Sequence, residues 1–167
     1  MQDFDDAVGA DDVAELTSAF LTASRLLVGI AARSMAEAEE RVTLRQFRML
    51  VLMAGQGETN LVTLAESLAV NPSTALRMVD RLVDAGFVAR RVNPASRREV
   101  LLQPTQAGKE LVDGVTARRR EEIAAVIAKM SARDRGGLIR ALGAFADAGR
   151  EHPAEEIERD LVSLGWE

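Results

Sequence analysis

The residues best suited to chemistry in this chain are arginines. Between Arg77 and Arg98 six arginines stand against two acids, Asp80 and Asp84. Arg77 and Arg81 are four apart, which places them on one face of a helix. Ser73 and Thr74, short polar side chains, stand just ahead of them. Arg97 and Arg98 follow Asn93-Pro94-Ala95-Ser96, a stretch of turn-forming residues. Planar guanidinium forks of this kind bind phosphate oxygens and base edges. A solvated charged surface would use the same residue types, so the elements that carry these arginines must decide.

The inventory argues against catalysis. With no Cys, disulfides, thiolate zinc sites, iron–sulfur clusters and thiol redox sensing are excluded. His152 is the one histidine and cannot build a His-rich metal site. No phosphate-binding P-loop, Gly-rich nucleotide fingerprint or nucleophile elbow occurs. The expectation is a protein that is not an enzyme and needs no metal or cofactor.

A net charge of −5 over 167 residues speaks, at first sight, against a nucleic-acid partner. Its distribution does not. Residues 1–15 hold six acids and no base, and residues 151–167 hold six acids and Arg159. Residues 16–150 are therefore basic, with 20 bases against 14 acids. A local basic patch is what a phosphate backbone responds to. The acidic start lacks the basic–apolar order of a secretory signal, and no unbroken apolar run approaches the ~20 residues of a membrane span. Such a chain is expected in the cytoplasm. Its length suits one domain with helical extensions, able to bury roughly 70% of its unfolded surface.

Prolines and glycines divide the chain. Residues 12–38 place Leu16, Ala19, Phe20, Ala23, Leu26, Leu27 and Ile30 at helical steps. Thr43 is suited to cap a second helix whose apolar face holds Leu44, Phe47, Leu50, Val51 and Met53, ended by Gly55 and Gly57. A short helix over about 61–68, capped by Asn60, turns Leu61, Leu64, Ala65 and Leu68 inward. After a tight turn at 69–71, Pro72 opens the next helix, where its missing N–H costs nothing. The expected buried stripe there is Leu76, Val79, Leu82 and Val83, and Gly86 stops the helix. Residues 87–92 and 99–103 read as two strands of a hairpin. A long helix runs from Thr105 to about Met130, and Ser131 with Asp134 caps another. Gly136 and Gly137 fall early in that helix, at a cost of about 1 kcal/mol each relative to Ala. Pro153 begins an acidic tail that includes Leu161, Leu164 and Trp166.

Helix, tight turn, helix and basic hairpin is the order of a winged helix-turn-helix, and the second helix has the chemistry to enter a DNA major groove. The run PSTALRMVDRLVDAGFVAR, followed by NP, RR and TQAG, resembles the multiple-antibiotic-resistance regulator (MarR) family over about residues 43–111. The resemblance implies a mainly α fold. A winged helix-turn-helix with a two-stranded wing (43–104) would be flanked by a dimerisation helix (12–42) and C-terminal dimerisation helices (105–167), after a disordered acidic start (1–11).

The resemblance further implies a homodimeric, sequence-specific DNA-binding regulator, a repressor rather than an activator. It would read a pseudo-palindromic operator and be released by a small aromatic or anionic ligand. Ser73, Thr74, Arg77 and Arg81 match the recognition helix, and Arg97 and Arg98 match the wing. Asp80 matches a structural acid. Arg25 and Arg48 are candidates to meet an anionic effector. Two positions depart from the family pattern. Ser96 stands where an aspartate commonly precedes the wing arginines. Ala69 stands where glycine is common, and a left-handed backbone there would strain it. The alternative function is a protein-interaction module whose winged helix has lost DNA binding.

Overall fold

A computed structural model describes the backbone of residues 3–94 and 96–149, with side chains for 12–94 and 100–149. The tail with His152, Pro153, Leu161, Leu164 and Trp166 lies outside the described residues. The element order is α1 (Asp3–Glu39), α2 (Leu44–Gln56), α3 (Leu61–Ser67), α4 (Pro72–Asp84), β1 (Val88–Asn93), β2 (Ser96–Pro104), α5 (Gln106–Ala128) and α6 (Ala132–Gly149). This is a winged helix-turn-helix between long helices. Helix α1 begins at Asp3, inside the stretch expected to be disordered.

Each helix of the central unit starts on a side-chain cap, as its sequence dictates. Thr43 and Gln46 form a reciprocal capping box on α2: Gln46 N–H donates to Thr43 Oγ1 (3.3 Å), and Thr43 N–H donates to Gln46 Oε1 (2.8 Å). Asn60 Oδ1 accepts from Thr63 N–H on α3, and Asn71 Oδ1 accepts from Thr74 N–H on α4. Thr105 Oγ1 accepts from Gly108 N–H on α5. Each bond satisfies a backbone donor that the first helical turn leaves without a partner.

One core holds the unit together. Met49, Leu50 and Met53 of α2, Leu64 of α3, Val79 and Leu82 of α4, and Val115 of α5 are almost wholly buried. Two expected apolar positions are not in it. Leu76 is 44% exposed, and the stripe that α4 buries is Ala75, Met78, Val79 and Leu82. That set follows the helical period, and Leu76 stands about 100° off its centre. Leu44 at the start of α2 is also exposed, and Met49 and Leu52 complete the buried face instead.

The wing is tied to the rest at its base. Strands β1 and β2 pair antiparallel, with Val88 opposite Pro104 and Val92 opposite Val100. Strand β2 begins at Ser96, so Arg97 and Arg98 belong to the strand and not to the turn. Thr59, just before α3, exchanges two backbone bonds with Leu102 and adds a one-residue third strand. Gly108 lets α5 start against the end of α4: a Cβ there would sit 2.3 Å from the Phe87 carbonyl oxygen. Thr105 hydroxyl donates to Gly86 O (2.7 Å), and Thr105 N–H donates to Phe87 O (2.9 Å).

The outer helices are barely covered. Only the last third of α1, with Ile30, Ser34, Met35 and Ala38, is buried. Arg33 pairs with Glu122 (2.6 Å) and Arg118 with Glu37, clamping α1 to α5. Phe20 stacks on Phe145 of α6 with ring centroids 4.3 Å apart. Helix α6 buries no residue, and Ile139 and Phe145 are 73% and 60% exposed. By length and composition residues 12–39 are apolar enough to cross a membrane, with a mean hydropathy of 1.4 over an 18-residue window. The unbroken run is shorter, because Arg25 falls within every such window. An arginine at mid-span costs about 2.5–3.5 kcal/mol on insertion scales.

Candidate nucleic-acid interface

Helix α4 presents two further stripes outside its buried face. Thr74, Arg77 and Arg81 form one, facing the start of α2. Ser73, Leu76 and Asp80 form the other, on the side of the wing. Ser73, Arg77 and Arg81 are exposed and Thr74 is half-buried. The N-terminal end of a helix offers backbone N–H groups and a positive dipole to phosphate. Part of that capacity is used internally, since Asn71 Oδ1 accepts from both Thr74 N–H and Ser73 Oγ at 2.8 Å.

The electrostatics turn on which arginines are already neutralised. Arg77 could have been satisfied by Asp80, three residues on. Instead Asp80 is held by Arg90 of β1. Arg91, the next residue, turns the other way and gives both oxygens of Glu58 a 2.6 Å bond. The alternation of a strand therefore sends two neighbouring arginines to two separate carboxylates. Arg77 donates, among the described residues, to Thr74 Oγ1 alone, at 3.3 Å. Among the described residues the ion pairs engage Arg33, Arg90, Arg91 and Arg118, and leave Arg77 and Arg81 uncompensated.

The wing arginines sit where the hairpin leaves its turn. Asn93 pairs with Ser96, and Arg97 and Arg98 follow on the β2 backbone. Their side chains, and that of Ser96, lie outside the described residues. The turn between α3 and α4 carries the other departure: Ala69 has φ +50°. This is left-handed backbone, which costs an L-residue about 1–2 kcal/mol.

The sequence candidates for an effector are not brought together. Arg48 lines a cavity of about 430 Å³ between α2 and the α3–α4 turn, whereas Arg25 is exposed on α1 and lines none of the described cavities. A cavity of about 370 Å³ lies between α2 and α5, lined by Phe47, Val51, Val115, Arg119, Arg120 and Ile123, so two of the three arginines at 118–120 line a pocket, a role their helical run allowed. Burial lowers the pKa of Arg119 there. The signal for it was the arginine run 118–120 on a helix with an apolar face.

The sequence profile of the MarR family matches residues 42–100, which span α2 through most of the wing. The crystal structure of the protein RV1404 from Mycobacterium tuberculosis is 50% identical, with a TM-score of 0.74 over 80% of this chain and 91% of that one. The chain belongs to the MarR family. That family comprises transcription regulators built on a DNA-binding winged helix and is not a family of enzymes. An HTH-type transcriptional regulator of Mycobacterium bovis is 32% identical over 94 residues. The match covers 56% of this chain and 66% of that relative, just under two thirds of its length. A mutant MepR from Staphylococcus aureus, solved bound to an oligodeoxyribonucleotide, shares the fold at 16% identity, with a TM-score of 0.66 over 80% of this chain and 96% of that one.

Proposed function

We propose that this MarR-family chain acts in the cytoplasm as a homodimeric repressor that binds a pseudo-palindromic DNA operator. One observation carries the reading: Arg77 and Arg81 stand exposed on α4 without an ion pair among the described residues, while Asp80, three residues from Arg77, is engaged by Arg90. Ser73 and Thr74 complete the recognition face, and Arg97 and Arg98 extend it along the wing. The oligonucleotide bound by MepR, on the same fold, supports the assignment of partner.

The dimer is supported by the outer helices. Leu16, Leu21 and Leu26 of α1 and Ile139, Leu142 and Phe145 of α6 are exposed in one chain. Exposed apolar side chains in such number on two packed helices are characteristic of an interface. A two-fold dimer presents two recognition helices, and successive major grooves on one side of the duplex are one helical turn apart, about 10 bp. Footprinting of the DNA upstream of the gene should show one protected inverted repeat of that spacing. Protection without an inverted repeat, or a stable monomer in sedimentation, contradicts the dimeric reading.

Release by a small ligand is assigned to the α2–α5 cavity. Its apolar walls and its arginines suit an aromatic anion, and it joins a helix of the winged unit to one of the outer helices. A ligand that favours one spacing of the recognition helices shifts DNA affinity by its differential binding to the two states. An aromatic carboxylate should weaken operator binding by the wild-type protein and not by an Arg119→Ala variant.

A further inference from the structure

Arg45 and Arg48 lie on α2, three residues apart, and no acid among the described residues pairs with either of them. The ion pairs among the described residues pass them by. Arg48 Nε is buried and has no hydrogen-bond partner among the described residues. Burial and the neighbouring Arg45 together lower the pKa of Arg48. Buried donors are nearly always satisfied, so one left open calls for an acceptor.

The surroundings supply the shape of that acceptor. The 430 Å³ cavity is lined by Arg45, Arg48, Ala69, Asn71, Thr74 and Met78. A second groove, about 560 Å³, runs on past Thr43, Arg45, Thr74, Arg77 and Arg81. The two share Arg45, Thr74 and Met78, and among the described residues no acidic side chain lines either. Arg45 thus stands at the junction between the cavity and the recognition face. A cation-lined recess continuous with a DNA-reading helix fits an oxyanion with several acceptor oxygens.

We propose that Arg45 and Arg48 form an oxyanion site on α2 that takes a phosphodiester of the bound DNA. The inference rests on the DNA-binding reading above and adds an anchor outside the recognition helix and wing. Such an anchor is sequence-independent, because a phosphate carries no base identity. It also places the like charges of Arg45 and Arg48 together for a reason, since a bound phosphate removes their repulsion.

The test uses fluorescence anisotropy of the full chain on a labelled duplex from upstream of its gene and on a scrambled duplex, across a salt series. Arg45→Ala and Arg48→Gln should weaken binding to both duplexes by the same factor. The slope of log K against log salt should flatten by about 0.9 for each phosphate that the variant no longer neutralises. Thermal melting of each variant without DNA checks that the fold is kept. In a second arm, inorganic phosphate replaces chloride at matched ionic strength in the absence of DNA. Unchanged salt slopes, with a phosphate-induced rise in wild-type Tm that both variants lack, would keep the oxyanion site but assign it to a free anion and overturn the phosphodiester. Unchanged slopes and no phosphate effect overturn the site altogether. If the wild-type chain binds neither duplex, the DNA-binding reading falls, and the phosphate arm still decides whether the site takes an oxyanion.

Discussion

Arg90 on the first strand of the wing holds Asp80 on the recognition helix. The pair links α4 to the wing, the two elements proposed to meet DNA, and it neutralises the acid three residues from Arg77. Both partners are 40–47% exposed, so the ion pair contributes little to stability. Its consequence is orientation and charge. Asp80→Asn should leave Tm almost unchanged. On Coulomb grounds alone the variant, one charge more positive, would bind all DNA more tightly. If the pair positions the wing, discrimination between operator and scrambled duplex should instead fall by roughly 1 kcal/mol, the scale of an exposed ion pair. Equal tightening on both duplexes would show a charge effect only.

Gly108 is fixed by its close neighbours and not by its backbone angles. Its Cα faces the Phe87 carbonyl, where a Cβ would come within 2.3 Å of the oxygen and 3.4 Å of Leu50 Cδ2. Neither the strand start nor the core side chain can yield without disturbing the join between α4, the wing and α5. Gly108→Ala should destabilise by about 1–3 kcal/mol, the usual cost of overpacking. At about 2–4 °C per kcal/mol for a chain of this size, thermal melting would resolve it.

Ala69 offers the opposite sign. At φ +50° it adopts the left-handed region that glycine enters freely. Relief of about 1–2 kcal/mol of strain is partly offset by the extra freedom glycine brings to the unfolded chain, about 0.4–1 kcal/mol. Ala69→Gly should therefore stabilise by about 0.5–1 kcal/mol in denaturant titration. A loss of stability would mean that the alanine methyl contributes packing beyond its strain.

Ile139, 73% exposed on α6, tests the dimer without touching the winged unit. Ile139→Glu would place an unpaired charge in an apolar interface, at a cost of several kcal/mol if buried there. Sedimentation should show a shift from dimer to monomer and, with it, loss of operator affinity. A dimer of unchanged stability would move the interface off this face of α6.

What the sequence made legible was local chemistry. Thr43 and Asn60 can be read as caps because a side-chain acceptor before an apolar period has one structural use, whereas Asn71 reads as part of a turn and caps α4 in the structure. Pro72, Gly86 and the Asn93–Ser96 turn are legible for the same reason, as each restricts the backbone by itself. Ala69 was legible only through the family resemblance, which has glycine there; its φ of +50° comes from the structure. Tertiary placement was harder. Leu76 is apolar and near the stripe, and only the neighbours of α4 decide that Met78 and Ala75 face inward instead. The Thr59–Leu102 pairing involves one residue of strand and leaves no periodicity to read. The ion pairs of Arg90 and Arg91 depend on where Asp80 and Glu58 arrive from other elements. The arginines themselves were recognisable, but which of them remain free for a ligand was not.

That the uncompensated face of α4 reads DNA is tested most directly by anisotropy of wild-type and Arg77→Ala protein. The DNA is the upstream duplex and a set of its single base-pair variants, at fixed salt. Arg77→Ala should cost about 1–3 kcal/mol and relax the base preference at one position of each half-site. An identical loss on every sequence would reduce Arg77 to a phosphate ligand. Wild-type protein that fails to bind the duplex even at low salt would contradict a DNA-reading role for α4.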